Sequence, residues 1–316
     1  MNVLLMNNPS DNHMNALKAA APHATFLIAK DEASAADLIK NAEVVMGNRY
    51  FLQSLPFAEK LKWMQSNSMG VDRILSAGTA LQDITLTCVR GVYDDEMADH
   101  ALALVLALTR GIHLARDDQA EQRWGRRQLT TLSGSRALIL GWGGVGQAIA
   151  RRLAAFGVQV EAVRRSHQGA PQQDATGFVV RGLDSWREKL PNTDILILAL
   201  PLTKETHHLV GSNELLQLPS GSMVINVGRG ATLVEKDVLS ALRSDHLLGA
   251  ALDVVEQEPL PQHDPLWLEP KLLITPHVGR SLELSAFRWE SLFAENLRRY
   301  ANGEPLLNVV DREAGY

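Results

Sequence analysis

The chain has a single cysteine, Cys88, among its 316 residues. No internal disulfide can brace it, which fits a reducing compartment. Cys88 falls in an apolar run at residues 84–89 and reads as a small buried hydrophobe. Positive charge is not in excess: 31 Lys and Arg against 36 Asp and Glu leave a formal net charge of −5. That balance argues against nucleic acid or an anionic membrane as the main partner. Long apolar runs are also missing. The longest, residues 101–108, is far short of the roughly 20 residues a bilayer span needs. The start, Met1-Asn2-Val3-Leu4-Leu5-Met6, lacks the basic stretch and long apolar core of a secretory signal and reads as a first strand. Long linkers, low-complexity tracts and internal repeats are absent. What is left, 46% hydrophobic and 21% charged, is the composition of a globular protein long enough for about two domains. The expectation is a cytoplasmic protein with no nucleic-acid and no membrane partner.

The most informative motif is Gly141-Trp142-Gly143-Gly144-Val145-Gly146. It follows the apolar run Ala137-Leu138-Ile139-Leu140 and opens a helical pattern at 147–156, the strand–turn–helix context that gives a G-x-G-x-x-G meaning. The first glycine allows the turn, the second lets backbone approach a pyrophosphate, and the third lets helix and strand pack closely. The helix N-terminus offers free N–H groups and the positive end of its dipole to phosphate. Trp142, inside the loop, is placed to shield the pyrophosphate. Because the motif starts at residue 141, a separate unit precedes it. Strand patterns at 3–6, 25–28, 44–46, 61–65 and 84–89 alternate with helical ones, such as 34–40, and predict a small α/β unit with a parallel sheet. Residues 94–110 read as one helix, acidic in its first turn as the dipole favours, apolar almost all round and therefore buried. A second alternation follows, with strands expected at 137–140, 158–163, 195–199, 223–227, 249–252 and 272–275. Gly157 is a natural stop for the intervening helix. The segment 284–300 is helical and amphipathic.

Polar residues fall just past several of these second-unit strands: Arg229 after 223–227, Asp253 and Glu258 after 249–252, and His277 after 272–275. Ligands of open α/β sheets bind outside the carboxyl ends of the strands. An imidazole suits proton donation to a carbonyl oxygen during hydride transfer. A carboxylate beside it fixes its tautomer and favours its charged form. A guanidinium holds a substrate carboxylate through two hydrogen bonds. The acids Asp94, Asp95, Glu96 and Asp99 are explained by the helix start rather than by a hard cation, and no metal is expected. His207, His208 and His246 read as surface residues, and His100 as a helix residue near the domain junction. Trp124 is placed at the interdomain crossing.

These stretches resemble the D-isomer-specific 2-hydroxyacid dehydrogenase family, specifically its glyoxylate/hydroxypyruvate reductase-like, NADP-preferring members. The resemblance rests on Gly141 to Gly146, Leu200-Pro201-Leu202-Thr203-Lys204-Glu205-Thr206, Asn226-Val227-Gly228-Arg229-Gly230, Leu252-Asp253-Val254-Val255-Glu256-Gln257-Glu258-Pro259-Leu260 and Thr275-Pro276-His277-Val278. Weaker matches are Lys62 to Asp72, similar to the family's substrate loop, and Met97-Ala98-Asp99-His100, where the family usually has Glu in place of Asp99. The resemblance implies an α/β fold of two Rossmann-like/flavodoxin-like domains with parallel sheets and an active-site cleft between them. The substrate domain would span 1–97 plus 287–316, the dinucleotide-binding domain 98–286, and the protein would be a homodimer built partly on the helix after Asp94. By the same resemblance Arg229 binds substrate, His277 is the acid in reduction and the base in oxidation, and Glu258, not Glu256, pairs with His277. Backbone N–H groups at Ser68, Met69 and Gly70 receive the substrate carboxylate. Cofactor-binding residues would be Gly141, Gly143, Gly144, Val145, Gly146, Leu200, Pro201, Thr206, Val227, Gly228 and Asp253. After His277 the chain departs from the family's small residues with Val278-Gly279-Arg280-Ser281, which makes Arg280 a candidate contact to the substrate or the nicotinamide and leaves the substrate class open.

An NAD-preferring fold places an acid about 20 residues beyond the glycine motif, on the ribose 2′-hydroxyl. Here Arg164, Arg165 and Ser166 stand at that strand end, and the nearest acid, Glu161, lies inside the strand. Two guanidiniums and a hydroxyl suit a 2′-phosphate, so NADPH is expected over NADH. The expected reaction is reduction of a small 2-keto acid, glyoxylate or hydroxypyruvate first, to the D-2-hydroxy acid. The alternatives are bulkier keto acids such as phenylpyruvate, a nucleotide-sensing regulatory protein of the same fold, and formate dehydrogenase. Glu258 speaks against the last, which pairs its His with Gln.

Overall fold

The computed structural model describes residues 1–127, 129–167, 169–281 and 283–316. The chain divides into two compact units, Met1–Val92 with Leu282–Tyr316, and Tyr93–Ser281. The boundaries fall a few residues before the expected 97/98 and 286/287, because the helix starting at Asp94 stays whole within the second unit.

The first unit begins with β1 (Asn2–Leu5), α1 (Asp11–Ala20), β2 (Thr25–Ile28), α2 (Glu32–Leu38), β3 (Val44–Met46), α3 (Phe51–Ser54), β4 (Trp63–Gln65), α4 (Asp72–Leu75) and β5 (Thr85–Thr87). The strands pair in parallel in the order β2-β1-β3-β4-β5. Val3, Leu4, Val44, Val45 and Met64 are wholly buried, the near-continuous apolar content of parallel strands covered on both faces.

The second unit opens with α5 (Asp94–Thr109) and α6 (Ile112–Ala120), separated by Gly111 in the left-handed region at φ +58°. Then come β6 (Arg136–Leu140), α7 (Gly144–Ala155), β7 (Gln159–Val163), β8 (Gln172–Gln173), β9 (Val179–Arg181), β10 (Ile195–Leu198), α8 (Ser212–Leu215), β11 (Ser222–Asn226), α9 (Glu235–Arg243), β12 (Leu247–Leu252) and β13 (Leu272–Ile274). The sheet order is β13-β12-β11-β10-β6-β7-β9-β8, parallel except for the β8–β9 hairpin at one edge. The order reverses at β6, which pairs with β7 on one side and β10 on the other. That is a topological switch point, and the glycine motif follows β6. The acids at the start of α5 do more than complement its dipole: Asp95 and Asp99 hold Arg152 of α7 at 3.2 and 2.6 Å, and no side chain caps the helix.

The chain returns to the first unit in α10 (Ala286–Ala301), whose buried stripe Trp289, Phe293 and Leu297 faces α1. Val310 completes that unit's core, and Val309 bridges Thr87 of β5.

Candidate active site

The register of the second sheet aligns its carboxyl ends. Leu140 pairs with Val163 and Leu198, Leu198 with Asn226, Asn226 with Leu252, and Leu252 with Ile274. Adjacent strands lie about 4.8 Å apart, so the loops leaving β11, β12 and β13 start within about 10 Å of one another. Arg229, Asp253, Glu258 and His277 sit on those three loops.

His277 Nδ1 lies 2.8 Å from Glu258 Oε2. The imidazole is 41% exposed and the carboxylate 27%, so Nε2 is left to face a reactant while Nδ1 is held. His277 takes the left-handed backbone region at φ +55°, a costly conformation for a residue with a Cβ. Asp253 holds it there. The N–H of His277 donates to Asp253 O at 2.8 Å. The Asp253 carboxylate, 0% exposed, accepts from Thr275 Oγ1 (2.7 Å), Val278 N (2.9 Å) and Gly279 N (3.0 Å). Burial raises its pKa, but the His100, Thr275 and Val278 bonds outweigh burial, and the group stays below the ordinary carboxylate range. His100 Nε2, carried on α5, reaches Asp253 Oδ1 at 3.1 Å and Thr275 Oγ1 at 3.0 Å. Asp253, expected to line the cofactor, has its side chain committed to the turn under His277. His100, expected as a helix residue near the domain junction with contact to the site as the lesser alternative, belongs to the same network.

Arg229 is half-buried in an extended conformation, with Nη1 donating to Gly228 O at 2.8 Å. Its loop is shaped by Asn226, fully buried, which donates to Arg229 O and accepts from Gly228 N, both at 3.0 Å. Arg280 places its guanidinium over the Tyr93 ring, 5.1 Å from the centroid. Burial, only partly opposed by Arg280, pushes the Tyr93 hydroxyl up to about 12. Arg280 therefore has an aromatic partner within its own unit, a role its sequence position did not reveal.

The glycine loop has the shape of a phosphate cradle. Gly141 sits at φ +111°, and a Cβ at Gly146 would collide with Gly141 O. Gly143 is exposed, and a Cβ there would meet nothing within 4 Å. It caps α7 without a side-chain hydrogen bond, leaving the first-turn N–H groups at Gly144, Val145 and Gly146 without partners inside the helix. These residues fit a dinucleotide pyrophosphate. Trp142 does not shield it: the ring is buried, its Nε1 donates to Asp174 at 2.5 Å, and it packs edge-on against Phe178. Arg164, Arg165 and Ser166 form an exposed turn directly after β7. Glu161 pairs with Arg181 and Lys189. On the next loop, Thr206 Oγ1 donates to Pro201 O at 2.7 Å, so the turn from Leu200 to Thr206 closes on itself. Val227 is buried and donates to Leu198 O.

In the first unit, Ser68, Met69 and Gly70 lie half-buried in the loop after β4. Ser68 Oγ accepts from Asn48 Nδ2, and Ser68 N donates to Ser66 Oγ, both at 3.0 Å. Among the described residues, nothing accepts from the N–H groups of Met69 and Gly70. No helix of the described residues is long and apolar enough to cross a membrane.

Residues 102–279 match the family D-isomer specific 2-hydroxyacid dehydrogenase, NAD binding domain. A D-isomer specific 2-hydroxyacid dehydrogenase family protein from Aeromonas salmonicida is similar over 98% of this chain and 99% of its own, at 35% identity and a TM-score of 0.86. An NADPH-dependent glyoxylate/hydroxypyruvate reductase from Sinorhizobium meliloti, solved with NADP and sulfate, covers 100% of this chain and 99% of its own, at 27% identity and a TM-score of 0.85. Glyoxylate/hydroxypyruvate reductase A of Klebsiella pneumoniae is 40% identical over 182 residues, which span 56% of this chain and 55% of that protein. The matched segment, the order of the sheet around β6 and the loops at its carboxyl edge agree: the chain belongs to the D-isomer specific 2-hydroxyacid dehydrogenase family and is an NAD(P)-dependent oxidoreductase.

Proposed function

We propose that this protein reduces a small 2-keto acid of the glyoxylate or hydroxypyruvate type to the D-2-hydroxy acid, with NADPH as the preferred reductant. The observation that carries the reading is the His277–Glu258 pair at 2.8 Å, on loops neighbouring that of Arg229. NADPH supplies the hydride to the carbonyl carbon. Arg229 binds the substrate carboxylate and polarises the carbonyl through its planar fork. His277 donates its Nε2 proton to the carbonyl oxygen as the C–H bond forms, and takes a proton back in the reverse direction. Glu258 fixes the tautomer by accepting from Nδ1 and balances the imidazolium.

The preference for NADPH is supported by the exposed turn at Arg164, Arg165 and Ser166, one strand away from the cradle after β6. The Gly141 N–H even donates to Val163 O, the residue before that turn, at 3.1 Å. Guanidiniums there attract a 2′-phosphate, and the acid within β7, Glu161, is already paired with Arg181 and Lys189. Reductase names and NADP complexes among the relatives support the same reading. The exposed apolar side chains Ile112, Trp124 and Leu129 favour the homodimer.

The test is a panel of 2-keto acids, from glyoxylate to phenylpyruvate, assayed with NADPH and with NADH. Turnover of the small acids with NADPH, and loss of that preference in the double variant Arg164→Ala/Arg165→Ala, is expected. A clear NADH preference in the parent protein overturns the cofactor reading, and activity confined to bulky acids overturns the substrate reading.

A further inference from the structure

We propose that the second unit carries a divalent transition-metal site formed by His207, His208 and Glu256. The three donor atoms lie within 4.8 Å of one another, and His208 Nε2 is 3.1 Å from Glu256 Oε1. Tetrahedral zinc at about 2.1 Å from each donor needs donor–donor separations of about 3.4 Å. The side chains are exposed, so small rotations bring them to that spacing without disturbing a packed core. The two imidazole rings already stand 3.9 Å apart.

The backbone under two of the ligands is fixed. His208 sits at φ +50° with its N–H on Ala231 O at 2.7 Å. The N–H of Glu256 donates to Glu235 Oε1 at 2.6 Å. Little conformational freedom is therefore lost when an ion binds. Glu256 supplies a carboxylate beside the two imidazoles, and Glu235 places a second one at the Glu256 N–H. Two nitrogens and one carboxylate oxygen suit zinc, nickel or copper rather than magnesium or calcium, which prefer all-oxygen shells. Water completes the coordination.

The site joins the loop from Leu200 to His208 to the loop carrying Glu258, two residues beyond Glu256. A bound ion cross-links the two and stabilises the unit by mass action. The proposal does not depend on the reaction assigned above.

Untagged full-length protein, stripped with a chelator and dialysed, is titrated with zinc chloride by calorimetry, with magnesium chloride as a control. One zinc ion per chain, with a dissociation constant on the order of micromolar, and no magnesium uptake are expected. His207→Ala, His208→Ala and Glu256→Gln each weaken zinc binding by at least about tenfold. Circular dichroism and keto-acid turnover without zinc show that His207→Ala is folded. Absence of stoichiometric zinc uptake by the parent protein overturns the proposal. So does parental affinity in His208→Ala and Glu256→Gln.

Discussion

Replacing His100 by Ala tests whether the network under His277 governs chemistry. His100 does not hold His277 itself. Its Nε2 instead reaches the carboxylate of Asp253 and the hydroxyl of Thr275, and these in turn fix a turn whose histidine sits in the left-handed region. A hydrogen bond to a buried charge is worth roughly 1.5–3 kcal/mol. Losing about 2 kcal/mol from the conformation that presents the imidazole lowers the rate about 30-fold, at about 1.4 kcal/mol per decade. Because the Arg229 loop is untouched, the loss falls on kcat while KM for the keto acid changes little. His100→Gln places an amide donor near the same position and is expected to restore much of the rate, which a general loss of packing would not allow. Steady-state kinetics on the two variants with a saturating keto acid decide the matter. A kcat within about twofold of the parent in His100→Ala, or equal losses in Ala and Gln, refutes the reasoning.

His277→Ala is expected to lose about 10²–10⁴ in kcat, the usual contribution of a positioned proton donor, and stopped-flow absorbance of the nicotinamide checks it. Glu258→Gln keeps the size of the side chain but not the charge, and is expected to lower kcat for reduction in steady-state assays, because the proton-donating imidazolium loses its counter-charge. Acid destabilises the first unit through His13, which is buried between Trp289 and Phe293 with its pKa lowered by burial to about 4. The native imidazole stays neutral down to about pH 4, whereas the unfolded chain protonates it near 6.5. The unfolded state therefore binds more protons across that window, and stability, complete above it, falls by roughly 3 kcal/mol as pH drops through it. Glu290, 3.7 Å from Nδ1, offsets part of that loss. Urea unfolding followed by tryptophan fluorescence at about pH 7.5 and about pH 5 is expected to show the loss in the parent and a flatter dependence in His13→Leu. Gly146→Ala drives a methyl into Gly141 O and is expected to abolish nucleotide binding in a fluorescence titration.

The glycine cradle was legible because all its determinants are local: an apolar run, a turn and a helix start within twenty consecutive residues. Arg229, Glu258 and His277 were readable as strand-end residues, but the meeting of Glu258 with His277 was not. It depends on the pairing of Leu252 with Ile274, a contact between distant segments that carries no local signal. Asp253 was legible as a motif residue; the closed hydrogen-bond set around its buried carboxylate, drawn from Thr275, Val278 and Gly279, had no local signal. The hairpin β8–β9 escaped detection because Gln172–Gln173 is short and polar. Its partner in holding Trp142 inward is Asp174, thirty-two positions away. Helix α6 escaped because Ile112–Ala120 carries few apolar residues, and among its described side chains only Asp118 is buried, paired with Arg123 and Arg127.

The passage of the chain out of the first unit and back into it has a consequence for synthesis on the ribosome. Val310 is needed to fill the hydrophobic interior around β5, and the N–H of Cys88 waits for Asn308 O. The opening ninety-odd residues cannot reach their final packing until the last segment has emerged. The middle of the polypeptide, with every strand of its own sheet already translated, is free to fold first. A chain cut near residue 285 and released therefore carries a complete second unit and an unfinished first one.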